Sequence, residues 1–177
     1  LTEDEKRFYT WTLQSHIDLA RAVWLDYCEC KMIDTIAREP LWRHLINYRC
    51  GTGHSVSFVG NVHEGPHALN SRNTTRMRPG MVVTDEPGVY ETDLVGIRIE
   101  NELVCVHKAD NQYGTFLGFE PLMFVPIATS PILPGVLDKD EIAWLNDYHR
   151  QVFAKLAPHL NDEERSWLAE KCAAIGC

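Results

Sequence analysis

Pro79-Gly80-Met81-Val82-Val83-Thr84-Asp85-Glu86-Pro87-Gly88 is the stretch on which the fold turns. A proline-glycine pair punctuates the chain at each end, and Met81-Val82-Val83-Thr84 between them reads as a strand. Downstream, Ile97-Arg98-Ile99-Glu100 alternates apolar and charged residues, as a strand with one polar face does. Leu103-Val104-Cys105-Val106 continues the pattern, which predicts a hairpin or meander. Upstream, Gly51-Thr52-Gly53-His54 is a loop signal followed by Val56, Phe58 and Val59, a further short strand pattern. Phe119-Glu120-Pro121-Leu122 opens another extended piece that ends near Ile127.

Helices flank these strands. Thr2-Glu3-Asp4-Glu5 reads as a capping box, and Phe8, Trp11, Leu19, Ala22 and Val23 carry a helix to about Leu25. A second helix is predicted over Ile33–Arg38. Pro40 restricts Glu39 and opens a further turn through Leu41, Trp42 and Leu45. Thr129–Leu137, with two prolines and a glycine, reads as a linker. Asp138 with Glu141, and Asn161 with Glu164, then start two C-terminal helices. Phe8 and Trp11, like Trp144 and Tyr148, read as core or interface aromatics.

The bulk numbers exclude some classes. The chain has 177 residues, 45% of them hydrophobic and 24% charged, the balance of a globular protein. A net charge of -8 without a Lys/Arg cluster argues against nucleic acid as a partner. No apolar run approaches the ~20 residues of a membrane helix. The acidic start Leu1-Thr2-Glu3-Asp4-Glu5-Lys6 is not a signal peptide, and the six cysteines are read as buried reduced thiols, so a cytoplasmic location is expected.

Three segments offer chemistry, each setting one potential metal ligand beside residues that fix the backbone. His54 lies among glycines, Glu86 just before Pro87-Gly88, and Glu100 two residues after Arg98, so on a strand Arg98 and Glu100 share a face. An imidazole with two carboxylates suits Mn²⁺, Fe²⁺, Co²⁺ or Zn²⁺. Spacing alone leaves the bland alternative open: a structural loop histidine and a surface Arg–Glu pair. Glu64 and His67 read as solvated neighbours, and His16, His44, His107, His149 and His159 as structural or exposed.

In order and spacing, Gly51-Thr52-Gly53-His54, Asn61-Val62-His63-Glu64-Gly65-Pro66, Thr84-Asp85-Glu86-Pro87-Gly88 and Gly96-Ile97-Arg98-Ile99-Glu100-Asn101 resemble the aminopeptidase P branch of the pita-bread metallopeptidases. The resemblance extends through His16-Ile17-Asp18-Leu19-Ala20, Asp34-Thr35-Ile36-Ala37-Arg38 and the Trp144–His149 helix, nearly the whole chain. It implies an α+β fold, the C-terminal half of a pita-bread domain: a bent antiparallel sheet with helices over 1–128, then a helical extension over 129–177. It implies release of an N-terminal residue ahead of proline, with two divalent ions, most naturally Mn²⁺, as cofactors. His54, Glu86 and Glu100 would be metal ligands, and Glu86 would also carry a proton. His63 would hydrogen-bond the substrate or the tetrahedral intermediate, Arg98 would hold a carboxylate in place, and Tyr90 would line the site beside His54. Implied partners are a peptide with proline second, the N-terminal half of the catalytic domain, and a second copy, with Trp144 and Trp167 as anchors.

The sequence departs from the family at two points. The family's metal site also takes two aspartates from a segment ending just before a helix like the one at Thr2. That segment is not within these residues, so the chain is expected to carry part of a dinuclear site and to be inactive alone. Cys50 stands where the family has a histidine, and Ser55 and Ser57 where it favours glycine. These changes keep a second reading in play, a non-catalytic binding module of the same fold.

Overall fold

Residues 1–176 are described by the computed structural model, and they fall into two units: residues 11–122, and residues 1–10 with 123–176. In chain order the elements are α1 (Glu3–Ala20), β1 (Val23–Leu25), α2 (Cys30–Trp42), β2 (Gly53–His54), β3 (Ala68–Leu69), β4 (Val82–Asp85), β5 (Gly88–Glu91), β6 (Val95–Arg98), β7 (Asn101–Asn111), β8 (Gly114–Pro121), α3 (Lys139–Leu156) and α4 (Asp162–Lys171).

In the first unit four antiparallel strands pair in the order β1-β8-β7-β4. Along β7 the side chains of Asn101, Leu103 and Cys105 are buried while those between are half-buried, the period of two of a strand with one covered face. Val83 faces Leu103, and Cys105 faces Phe119, all buried, so the register sets apolar pairs opposite one another. Leu13, Ile17, Ile33, Ala37 and Leu41 add helical faces to this core. Two small antiparallel pairs, β2–β3 and β5–β6, complete the unit.

Several expectations need correction. The first helix stops at Ala20, because Val23–Leu25 pairs with β8 instead of continuing the helical period. The second is one continuous helix from Cys30 to Trp42 with Pro40 inside it. A proline near the end removes a single donor, and Arg43 N–H still closes the last turn on Glu39 O at 3.1 Å. Val56–Val59 is not a strand: the short strand is Gly53–His54, and Phe58 and Val59 project into solvent. Ile97–Glu100 is not continuous either, since β6 ends at Arg98 and β7 begins at Asn101.

In the second unit Tyr148, Val152, Ala157 and Leu168 form a buried cluster, with Trp144 stacked on Tyr148 at 5.4 Å. Trp167 is exposed. Tyr9 Oη donates to Ala128 O at 2.6 Å, and Leu133 N–H donates to Thr10 Oγ1 at 3.0 Å, which ties the chain's first residues into this unit. The three predicted capping boxes, at Thr2, Asp138 and Asn161, are present. Asp138 Oδ1 accepts from Glu141 N–H at 2.7 Å, and Glu141 Oε2 accepts from Asp138 N–H at 2.7 Å. Replacing Asp138 by Ala is expected to cost about 1 kcal/mol, read as a lower midpoint in urea with an unchanged slope.

Five cysteines are free: Cys30 and Cys105 are buried, Cys28 and Cys172 half-buried, and Cys50 exposed, contrary to its reading as a core thiol; Cys177 lies outside the described residues. Burial pushes the Cys105 thiol up to about 11, so it stays protonated. No helix among the described residues is long and apolar enough to cross a membrane.

Candidate metal centre

The loop before His54 and the end of β4 are stitched together by small residues. A Cβ on residue 53 would fall 1.7 Å from the Thr84 carbonyl oxygen, so β2 lies this close to β4 only because Gly53 has no side chain. His54 N–H donates to Thr84 Oγ1 at 2.9 Å, and the same hydroxyl donates to Glu86 Oε1 at 2.8 Å. Glu86 N–H donates to Thr52 O at 2.8 Å. One buried threonine therefore fixes both the histidine backbone and the glutamate carboxylate.

His54 Nδ1 donates to the Ser55 carbonyl at 3.1 Å. A carbonyl only accepts, so this bond sets the tautomer and leaves the Nε2 lone pair free. Nε2 lies 3.1 Å from Glu86 Oε1. Arg98 Nη1 is 3.2 Å from Glu86 Oε2, and its Nε donates to Tyr90 Oη at 2.8 Å. The His63 ring lies over that of His54, with centroids 4.1 Å apart and planes at 56°. Glu100 sits in the break between β6 and β7, so it does not share a strand face with Arg98 as expected. It is nevertheless within the field of the others. Partial desolvation and then the Glu86 carboxylate hold Glu100 above the usual carboxylate range, while Arg98 and His54 oppose the rise.

The six residues singled out from sequence thus gather at one place: His54, Glu86, Arg98, Tyr90 and His63 in a chain of contacts, and Glu100 as their electrostatic neighbour. Among the described residues no three His, Cys, Asp or Glu side chains already form a metal-holding group. The donor chemistry fits a divalent cation. Nε2 of a neutral His54 and Oε1 of Glu86 are both acceptors, and acceptors 3.1 Å apart need a cation, a proton or a metal, to reconcile them. The Nδ1–carbonyl bond is also the arrangement by which a ligating histidine is held in orientation.

Beneath the site lie supports that sequence reading missed. His16 Nδ1 is 3.1 Å from Oδ2 of Asp85, the residue before Glu86, and both His16 and Asp85 are fully buried. Burial raises the Asp85 carboxyl above its ordinary range, and His16 opposes that rise. Asp34 takes Arg38 Nε at 2.7 Å and also accepts from the Thr52 hydroxyl, which is 2.5 Å from Tyr48 Oη. His67, read as a solvated neighbour, is buried, its Nε2 donating to Val82 O at 2.8 Å. Thr84 stands two residues before Glu86, and although β4 ends at Asp85 the two side chains meet.

Comparison with known proteins shows the family. Residues 1–107 match the profile described as "Metallopeptidase family M24", and residues 115–175 match "C-terminal region of peptidase_M24". Aminopeptidase P2 of Arabidopsis thaliana is 43% identical over 171 residues, covering 93% of this chain and 24% of that protein. Aminopeptidase P1 of Lotus japonicus is 39% identical over 178 residues, covering 97% of this chain and 27% of that protein. The crystal structure of the X-prolyl aminopeptidase of Caenorhabditis elegans, described as a cytosolic enzyme with a di-nuclear active site, superposes with a TM-score of 0.92 at 37% identity. It covers 99% of this chain and 29% of that one. Prolidase from Pyrococcus furiosus gives a TM-score of 0.57 at 27% identity, over 68% of this chain and 33% of its own. The chain spans less than a third of the length of the curated relatives it matches.

Proposed function

Because this chain belongs to metallopeptidase family M24, we propose that it forms the C-terminal part of a metal-dependent aminopeptidase that releases an N-terminal residue ahead of proline. In this reading His54 Nε2, Glu86 and Glu100 would hold two divalent ions, Mn²⁺ in the first instance, together with two aspartates outside these residues. When bound, the ions would supply Lewis acidity for the water and the scissile carbonyl. Glu86 accepts the proton of the attacking water on its carboxylate and returns it to the leaving imide nitrogen. Thr84 on one oxygen and Arg98 on the other hold that carboxylate still. His63, its ring tilted against that of His54, donates to the carbonyl oxygen as charge builds there. Tyr90, bonded to Arg98, lines the site. A proline imide has no N–H, so selection there rests on ring shape rather than on a donor.

The observation that carries this reading is the His54 arrangement: Nδ1 committed to a carbonyl, Nε2 turned to a carboxylate oxygen 3.1 Å away. A cytoplasmic location, the N-terminal half of the catalytic domain as partner, and a homodimer belong to the same proposal. The second reading, a non-catalytic binding module, draws on Cys50 in place of a histidine and on Ser55, whose buried side chain occupies a position where the family favours glycine.

Calorimetric titration decides between them. The 177-residue chain is expected to bind Mn²⁺ weakly, since three ligands do not close two coordination shells. A protein that joins this chain to a segment bearing the two aspartates is expected to show two tight sites and Xaa-Pro cleavage. Two filled sites without cleavage would favour the binding module, and two tight sites on the chain alone would contradict the ligand assignment.

A further inference from the structure

Beside the metal centre, a cleft of about 680 Å³ carries no carboxylate among its lining residues. It runs between the 47–51 loop and the 70–72 turn, with Arg49 and Arg72 on its walls. In a chain of net charge -8 most basic side chains are committed to ion pairs: Lys6, Arg7, Arg21, Lys31, Arg38, Arg43 and Arg98 among them. Arg49 and Arg72 are exceptions, both exposed and both without a side-chain partner among the described residues, and they face the same cleft. Sequence alone does not show this, since the two stand far apart along the chain.

The other polar groups there are turned the same way. Asn47 Oδ1 accepts from Arg38 Nη1 at 3.2 Å and from Trp42 Nε1 at 3.1 Å. Asn70 Oδ1 accepts from the backbone N–H groups of Arg72 and Asn73 at 3.0 and 3.1 Å. Each amide thereby spends its acceptor on the protein and leaves its NH₂ group as donor. Two guanidinium forks, two amide NH₂ groups and the Ser71 hydroxyl make a donor-lined cleft, the complement of a carboxylate. An adjoining cleft of about 420 Å³ shares Asn47, Tyr48, Arg49 and Cys50, and continues past Glu91 to Tyr90 and Arg98, which contacts Glu86.

We propose that the Arg49–Arg72 cleft is an anion-binding subsite that takes acidic side chains of a peptide whose other end lies at the metal centre. The inference deepens the peptidase reading by naming a substrate class. It rests on that reading for the direction of the peptide, and not for the binding itself.

The test uses the full chain without added metal and follows tryptophan fluorescence, with Trp42→Phe as the control that locates the signal in the cleft. The probes are the amidated peptide Ala-Pro-Gly-Glu-Asp-Gly, its uncharged counterpart Ala-Pro-Gly-Gln-Asn-Gly, and inorganic phosphate. The acidic peptide is expected to bind about tenfold more tightly than the uncharged one, with a preference that falls as salt rises. The double substitution Arg49→Ala/Arg72→Ala is expected to erase the preference. Arg49→Lys/Arg72→Lys, which keeps the charge and loses the fork, is expected to retain part of it. Equal affinity for the two peptides overturns the proposal, as does a preference that survives the double alanine variant. Phosphate competing at the same concentration as the acidic peptide also overturns it, since the cleft would then hold any small anion. The peptidase reading is judged separately by Mn²⁺ titration, so either can fail while the other stands.

Discussion

Glu86→Gln is expected to lower Mn²⁺ affinity by at least ~100-fold in a protein that carries this chain with the two upstream aspartates, and to reduce Xaa-Pro hydrolysis to background. The change is isosteric, so packing is retained while charge is lost. Oε1 now receives the Thr84 hydroxyl at 2.8 Å and faces His54 Nε2 at 3.1 Å, and Oε2 faces Arg98 at 3.2 Å. An amide offers one acceptor where the carboxylate offers two, so either Arg98 meets an NH₂ group or Thr84 loses its acceptor. A neutral amide is also a weaker ligand for a divalent ion than a carboxylate. Thr84→Val is the informative companion. It leaves every ligand in place and removes only the hydroxyl between His54 N–H and Glu86 Oε1, with an expected 10–100-fold loss of affinity that Thr84→Ser restores. Calorimetry on the four proteins, with thermal melts within a few degrees of one another, reads the effect. A Glu86→Gln protein that binds Mn²⁺ like its parent would remove Glu86 from the ligand set.

How far the sequence reveals this site depends on how local each signal is. The capping boxes at Thr2, Asp138 and Asn161 involve residues three apart, and all are present. The end of β4 is legible because Pro87 has no N–H to give a ladder, although Gly88 then opens β5. The break at Ile99-Glu100 is not legible, since apolar–polar alternation runs unchanged through it and pairing with different partners separates β6 from β7. Val56, Phe58 and Val59 mislead because apolar residues at the tip of a loop have the composition of a strand without a neighbour to pair with. The candidate ligands were legible as motifs beside glycine and proline, yet their supports were not. His16 and Asp85 meet only through the tertiary fold, and nothing near either residue announces the other. The same holds for Asp34 and Thr52, whose contact carries the loop that aims His54.

That contact underlies the second large effect. Asp34→Ala is expected to destabilise the protein by about 3–5 kcal/mol, because removing one partner of a buried ion pair leaves the other charge uncompensated. Asp34 is 1% and Arg38 7% exposed, so water cannot take over. Besides Asp34, Arg38 serves the carbonyls of Tyr48 and Cys50, each at 2.8 Å, and its guanidinium lies 4.2 Å from the centre of the Tyr48 ring. At roughly 2–4 °C per kcal/mol for a chain of this size, the melting temperature should fall by about 6–20 °C. Asp34→Leu/Arg38→Met removes both charges and is expected to recover part of the loss, since apolar replacement of a whole buried pair is often neutral. Recovery stays incomplete because the Tyr48 and Cys50 carbonyls lose their donor. This double variant separates stability from function. Thr52 would still accept from Glu86 N–H through its carbonyl, but its hydroxyl would no longer be anchored to Asp34. A double variant that melts above Asp34→Ala yet exchanges its Thr52 and His54 amides faster than the parent, with weaker Mn²⁺ binding, would show that the buried pair aims the metal loop. A double variant that keeps both protection and affinity would reduce Asp34 and Arg38 to ordinary core residues.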